Sequence, residues 1–185
     1  MLLLHGYDSS PLRVEPQAQL LRQCIGGLTV HAVQAPLRLS SGSWAWFSDA
    51  TTEQAGVELA DSLATLHDVA RSTGCSVQDA VVAGFSQGGA VALAAGFAGI
   101  CAAAICVGGF LPPGIEPGPT TTPLLLIHGA DDEIVDPFYA ETTARRAQKL
   151  GCEVDFHEVP GGHEWTTDAT MLIVQWLRNF YRQRV

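Results

Sequence analysis

Short apolar runs alternate along the chain with longer stretches in which apolar residues recur at helical spacing. The runs at 2–5, 28–33, 80–83, 102–107, 124–128 and 153–159 are apolar or β-branched and are bounded by Gly, Pro or polar positions. Strands buried on both faces carry this pattern, and it predicts six of them. Between the runs, Leu59, Leu63, Leu66 and Ala70 form one apolar stripe, and Ile173, Trp176, Leu177 and Phe180 form another. Each stripe gives a helix one face to bury. A helix from Pro16 to about residue 25 opens with a proline suited to a first turn, and the segment 138–150 follows Pro137 and stops at Gly151. Alternation of this kind predicts an α/β fold, a mainly parallel sheet of about six strands flanked by helices. Neither a repeat nor a linker divides residues 1–185, which read as one domain, and the longest irregular stretch is 108–123.

Composition narrows the function. Hydrophobic residues make up 47% and charged residues 16%, so the chain can build a packed core and is not a disordered segment. The net charge is −9, and the ten basic residues are spread from Arg13 to Arg184 without forming a patch. Nucleic acid and anionic membrane surfaces are therefore excluded as expected partners. No apolar run approaches the ~20 residues of a membrane span. The first residues carry no basic segment and too short an apolar stretch for a signal peptide, so the expected location is cytoplasmic. Five cysteines without a CxxC pair point to free thiols in a reducing compartment, with neither a metal site nor a cofactor expected.

The strongest chemical signal is Gly84-Phe85-Ser86-Gln87-Gly88-Gly89. It follows the run 80–83 directly and opens an apolar helical run, 90–97. A serine between a strand and a helix sits on a sharp turn, and small neighbours let the backbones pass. The hydroxyl is then exposed at the tip, and the new helix aims its first amides at developing negative charge. A serine hydroxyl needs a base. Of six histidines, His163 in Pro160-Gly161-Gly162-His163-Glu164-Trp165 lies just after the last strand and before the last helix, where it can lean over the sheet's edge. His5 and His128 end strands beside Gly6 and Gly129 and read as architectural, while His31, His67 and His157 fall inside strands or helices. The third member is a carboxylate that fixes the imidazole tautomer. Asp131, Asp132 and Glu133 follow the run 124–128 at the same edge, in the chain order serine, acid, histidine.

These motifs resemble the carboxylesterase, lysophospholipase and acyl-protein thioesterase family of α/β-hydrolases. The matching stretches are Leu4-His5-Gly6-Tyr7, Trp46-Phe47, 84–89, His128-Gly129 with Asp132 three residues before Val135, and Gly162-His163. The resemblance implies metal-free hydrolysis of esters or thioesters through an acyl-enzyme on Ser86, with His163 as base and Asp132 as the acid. It also implies an oxyanion hole formed by the backbone amides of Tyr7 and Gln87. Two features depart from the family. The family usually has about two further strands before the His-Gly loop, so the run 28–33 would be an exposed sheet edge. Pairing with a second copy in a homodimer, or cover from the loop 36–43, would protect it. Asp8 stands where relatives often have glycine, which leaves the shape of the oxyanion loop open.

Trp44, Trp46 and Phe47 follow the second strand, and Phe110 and Leu111 follow the fourth. In a parallel sheet both loops emerge at the catalytic edge, so these five are the candidates to line an apolar acyl site, although burial in the core explains such residues equally well. No inserted lid is visible, which favours short to medium acyl groups. Two other readings stand beside the esterase: a dienelactone-hydrolase-like or carbon–carbon bond hydrolase, disfavoured by serine in place of cysteine, and a non-catalytic ligand-binding relative.

Overall fold

The computed structural model describes residues 1–48, 53–112 and 114–184. Its elements run β1 (Leu2–Leu4), α1 (Glu15–Cys24), β2 (His31–Val33), β3 (Leu37–Arg38), β4 (Trp44–Ala45), α2 (Glu53–Ser72), β5 (Val81–Phe85), α3 (Gln87–Phe97), β6 (Ala103–Val107), β7 (Leu124–Gly129), α4 (Pro137–Lys149), β8 (Val154–Val159) and α5 (Thr167–Arg182). Six of the strands form one sheet in the order β2-β1-β5-β6-β7-β8, and every adjacent pair is parallel. All six expected strands and all the expected helices are present. Among the described residues, no helix is long and apolar enough to cross a membrane.

Alternation along the strands splits the core into two layers, because successive side chains point to opposite faces. Leu2 and Leu4 join Val82, Ala104, Leu124 and Leu126 under α2, α3 and α4. Leu3 joins Ala83, Ile105, Leu125 and Ile127 under α1 and α5. The stripe on α5 buries Ile173, Leu177 and Phe180, each stabilising by about 1.5–3 kcal/mol relative to exposure.

Burial on both faces fails at the two edges. β2 has one neighbour and only Val33 fully buried, while β8 exposes Asp155, His157 and Glu158. The strand expected over 28–33 covers only His31–Val33. One pair of strands was not foreseen. β3 and β4 form a small antiparallel hairpin, and Trp44 bridges Ser9. The segment 36–43 therefore contributes to that hairpin and adds no strand beside β2.

Candidate active site

All six main strands point the same way, so the loops after β1, β5, β6, β7 and β8 gather at one end of the sheet, the place where α/β folds build sites. β5 ends at Phe85 and α3 begins at Gln87, leaving Ser86 alone to make the turn. Its backbone sits at φ 54° and ψ −119°, in a region L-residues avoid, at a cost of about 1–3 kcal/mol. Tertiary bonds hold it there: its N–H donates to Val107 O at 2.9 Å, and its carbonyl accepts from Ala90 N at 3.0 Å. The flanking glycines are sterically required. A β-carbon on Gly84 would lie 2.2 Å from the Gly88 carbonyl, and one on Gly88 would lie 2.5 Å from His5 O.

Ser86 faces His163. Ser86 Oγ lies 2.9 Å from His163 Nε2, and His163 Nδ1 lies 2.7 Å from Asp132 Oδ2. Phe85 packs beside the imidazole with ring centroids 4.8 Å apart. Asp132 is buried, and its Oδ1 accepts the amides of Ile134 and Val135, each at 2.9 Å. Burial pushes its carboxyl up, but those amides together with His163 outweigh burial and hold it below the ordinary value. It stays an anion beside the imidazole. Asp131 is exposed and ties the two loops through its backbone, donating to Gly161 O at 3.0 Å. Among the described residues, no group of three or more His, Cys, Asp or Glu could hold a metal ion.

The loop after β1 supplies the opposite wall. His5 is buried; its Nδ1 donates to Gly6 O at 2.8 Å and its Nε2 accepts from Ala35 N at 3.2 Å. Burial pushes its pKa down, so the ring stays neutral. Asp8 adopts φ 50°, the left-handed backbone that glycine takes most easily and Asp tolerates. Hydroxyls of Ser41 and Ser43 donate to its Oδ1, which stabilises the anion and lowers its pKa. The loop thus keeps a glycine-like bend without glycine. Among the described residues, neither the Tyr7 nor the Gln87 amide donates a hydrogen bond within the chain.

The aromatic loop serves the core. Trp46 and Phe47 are fully buried beneath the sheet, and Trp44, Phe110 and Leu111 pack against the same layer. None of the five borders the cleft beside Ser86, which corrects the expectation of an acyl site there. Trp46 fastens the site from behind instead. Its indole N–H donates to His5 O at 2.7 Å, and its backbone N–H donates to Gln87 Oε1 at 2.8 Å. Gln87 Nε2 donates to Phe47 O at 2.6 Å. Trp46 therefore links, through its indole and its backbone amide, the segments that carry Tyr7 and Gln87. The cleft itself has a volume of about 560 Å³, with Tyr7, Val14, Phe85, Ile134 and Trp165 along its apolar walls.

A model of the family described as phospholipase/carboxylesterase matches residues 1–180. The chain belongs to that family. Among solved structures, the phospholipase/carboxylesterase chain is similar to an esterase, PE8, at 26% identity and TM-score 0.82, covering 97% of this chain and 91% of that one. It is also similar in fold to Arabidopsis thaliana SOBER1, at 20% identity and TM-score 0.76, with 97% of each chain covered. A third likeness is the Bacillus cereus carboxylesterase, at 18% identity and TM-score 0.81, with 97% and 88% covered. No curated protein matches the sequence. The parallel six-stranded sheet with its flanking helices is the α/β-hydrolase fold of this family.

Of the apolar walls of this family member's cleft, the sequence reading placed only Tyr7 and none of Val14, Phe85, Ile134 and Trp165. Val14 and Trp165 border the cleft from α1's start and from the segment before α5. Trp165 follows His163 and Glu164 in the quoted loop, so its place beside the base was open to reading. Val14 had no such signal, because nothing in its local sequence links it to the loop after β8.

Proposed function

We propose that this chain is a serine hydrolase that cleaves carboxylic esters or thioesters of short to medium acyl chains through an acyl-enzyme on Ser86. The observation that carries this reading is the relay Asp132–His163–Ser86, closed at 2.7 and 2.9 Å and opening on a cleft. In the first half-reaction His163 Nε2 takes the Ser86 proton as Oγ attacks the carbonyl carbon. The carbonyl oxygen becomes an oxyanion held by the Tyr7 and Gln87 amides. Collapse expels the alcohol or thiol, which leaves with the proton His163 had taken. Water then repeats the sequence, with His163 again as base, and releases the acid and Ser86. Asp132 holds the imidazole with its proton at Nδ1 and stabilises the imidazolium while it lasts. A cleft of about 560 Å³ falls in the middle of the ordinary ligand-site range and suits a short to medium acyl group.

Hydrolysis of p-nitrophenyl acetate and butyrate by the wild type and by Ser86→Ala tests the reading. The wild type turns both over, and Ser86→Ala loses several orders of magnitude in kcat while remaining folded. Retention of a tenth of wild-type turnover by Ser86→Ala, a loss of only about 1.4 kcal/mol, would contradict it. A panel varying acyl length and oxygen against sulfur then assigns the substrate class.

A further inference from the structure

His128 is the penultimate residue of β7, and its sequence context marks it only as an architectural residue. In the structure its side chain is fully buried, with Nε2 2.8 Å from Val135 O and 3.2 Å from Asp132 Oδ2. Both neighbours are acceptors, so the ring hydrogen lies on Nε2. Val135 O takes the hydrogen bond, and the same N–H places the positive end of its dipole beside Oδ2. Nδ1 is buried and has no hydrogen-bond partner among the described residues. Nε2 is therefore the ring nitrogen that carries the hydrogen this site uses.

This ring closes a circuit around the acid. Asp132 Oδ1 accepts the Val135 amide, the Val135 carbonyl accepts from His128, and His128 stands against Oδ2, the same oxygen that meets His163. A carboxylate gripped by two amides on one oxygen can still tilt about its own axis. The His128 N–H, 3.2 Å from Oδ2, opposes that tilt. On the serine-hydrolase reading of this site, we propose that His128 is a positioning residue that holds Asp132 Oδ2 in line with His163 Nδ1. It touches neither substrate nor the reacting atoms. Its influence reaches Ser86 through Asp132 and His163, and misalignment of this kind far from the chemistry can cost about a hundredfold in rate.

The test compares the wild type with His128→Phe, which fills the space without a donor, and His128→Gln, whose amide N–H reaches to the position of Nε2. Ser86 phosphonylation by a fluorophosphonate and kcat and KM on p-nitrophenyl acetate are measured for each. Proton NMR follows the far-downfield Nδ1 hydrogen of His163 bonded to Asp132. His128→Phe is expected to lose about tenfold to a hundredfold in kcat and labelling rate with KM within about twofold, and to shift that resonance. His128→Gln is expected to recover most of both. Full activity in His128→Phe, or a loss in it with the resonance unmoved and no recovery in His128→Gln, overturns the proposal. If His128→Phe does not fold, nitrogen-15 NMR of the wild type decides: a hydrogen on Nε2 of His128 supports the proposal and one on Nδ1 overturns it. A folded wild type that neither labels nor hydrolyses would overturn the hydrolase reading itself, a result distinct from all of these.

Discussion

Replacing Asp132 with asparagine exchanges one oxygen for an NH2 group, and the structure fixes where that group goes. The site offers two places. At the Oδ1 position it would face two donors, the Ile134 and Val135 amides at 2.9 Å, so the amide oxygen takes this place. The NH2 then faces His163 Nδ1, at the position now 2.7 Å away. Two donors cannot share that contact, so the imidazole changes tautomer and puts its hydrogen on Nε2, toward Ser86 Oγ. A ring in that state cannot take the serine proton. The expected loss in kcat is about four orders of magnitude, the scale on which a wrong tautomer acts in such a relay, or about 5.5 kcal/mol. The two amide bonds survive, so the variant remains folded. The assay is steady-state hydrolysis of p-nitrophenyl acetate with Asp131→Asn as control. Asp131 is exposed and acts through its backbone, so that variant should change kcat by less than about threefold. Loss in Asp131→Asn with Asp132→Asn active would refute the reasoning.

Ser86→Gly should stabilise the fold by about 1 kcal/mol in urea titration, since relief of about 1–3 kcal/mol of backbone strain exceeds the entropic cost of glycine; a fall in the midpoint would mean that the turn is unstrained. Gly88→Ala brings a β-carbon to 2.5 Å from His5 O and 2.7 Å from Leu4 O, both backbone atoms, so it should destabilise by at least about 2 kcal/mol, with a neutral result refuting the close packing of α3 on β1. Buried His5 is held neutral, its pKa lowered, so its contribution is complete above the ordinary value of about 6.5 and declines as pH falls toward the lowered value. Asp132, also lowered, contributes above about pH 3.9 and loses that contribution as pH falls through its folded-state value. Urea midpoints should therefore fall in two stages on acidification; a midpoint rising from pH 7 to 4 would contradict the His5 assignment, and one rising on further acidification below pH 4 would contradict that of Asp132.

The sequence carried the site further than the pocket. Ser86 and His163 were legible because an exposed serine between strand and helix, and a histidine after the last strand, leave few other uses for those residues. The spacing of Asp132 from Val135 has a visible cause, since the carboxylate caps the turn it begins, accepting from Ile134 and Val135. The aromatic loop misled because hydrophobicity alone does not separate core from pocket. Trp46 is drawn inward by partners for its indole N–H and main chain that lie on distant segments. The edge place of β2 was expected from the resemblance, whereas that of β8 was obscured: its run contains enough apolar residues to look central, and only the partner strands show that it is an edge. The hairpin of β3 and β4 was too short to show any alternation.

The account rests on Ser86 being the activated nucleophile, and covalent labelling measures that without knowledge of the substrate. Folded wild-type protein treated with a fluorophosphonate and mapped by peptide mass spectrometry should carry one adduct, on the peptide containing Ser86. Ser86→Ala should take up none, and His163→Ala should react far more slowly because the base is gone. An adduct on another residue, or wild-type labelling no faster than that of His163→Ala, would contradict the account.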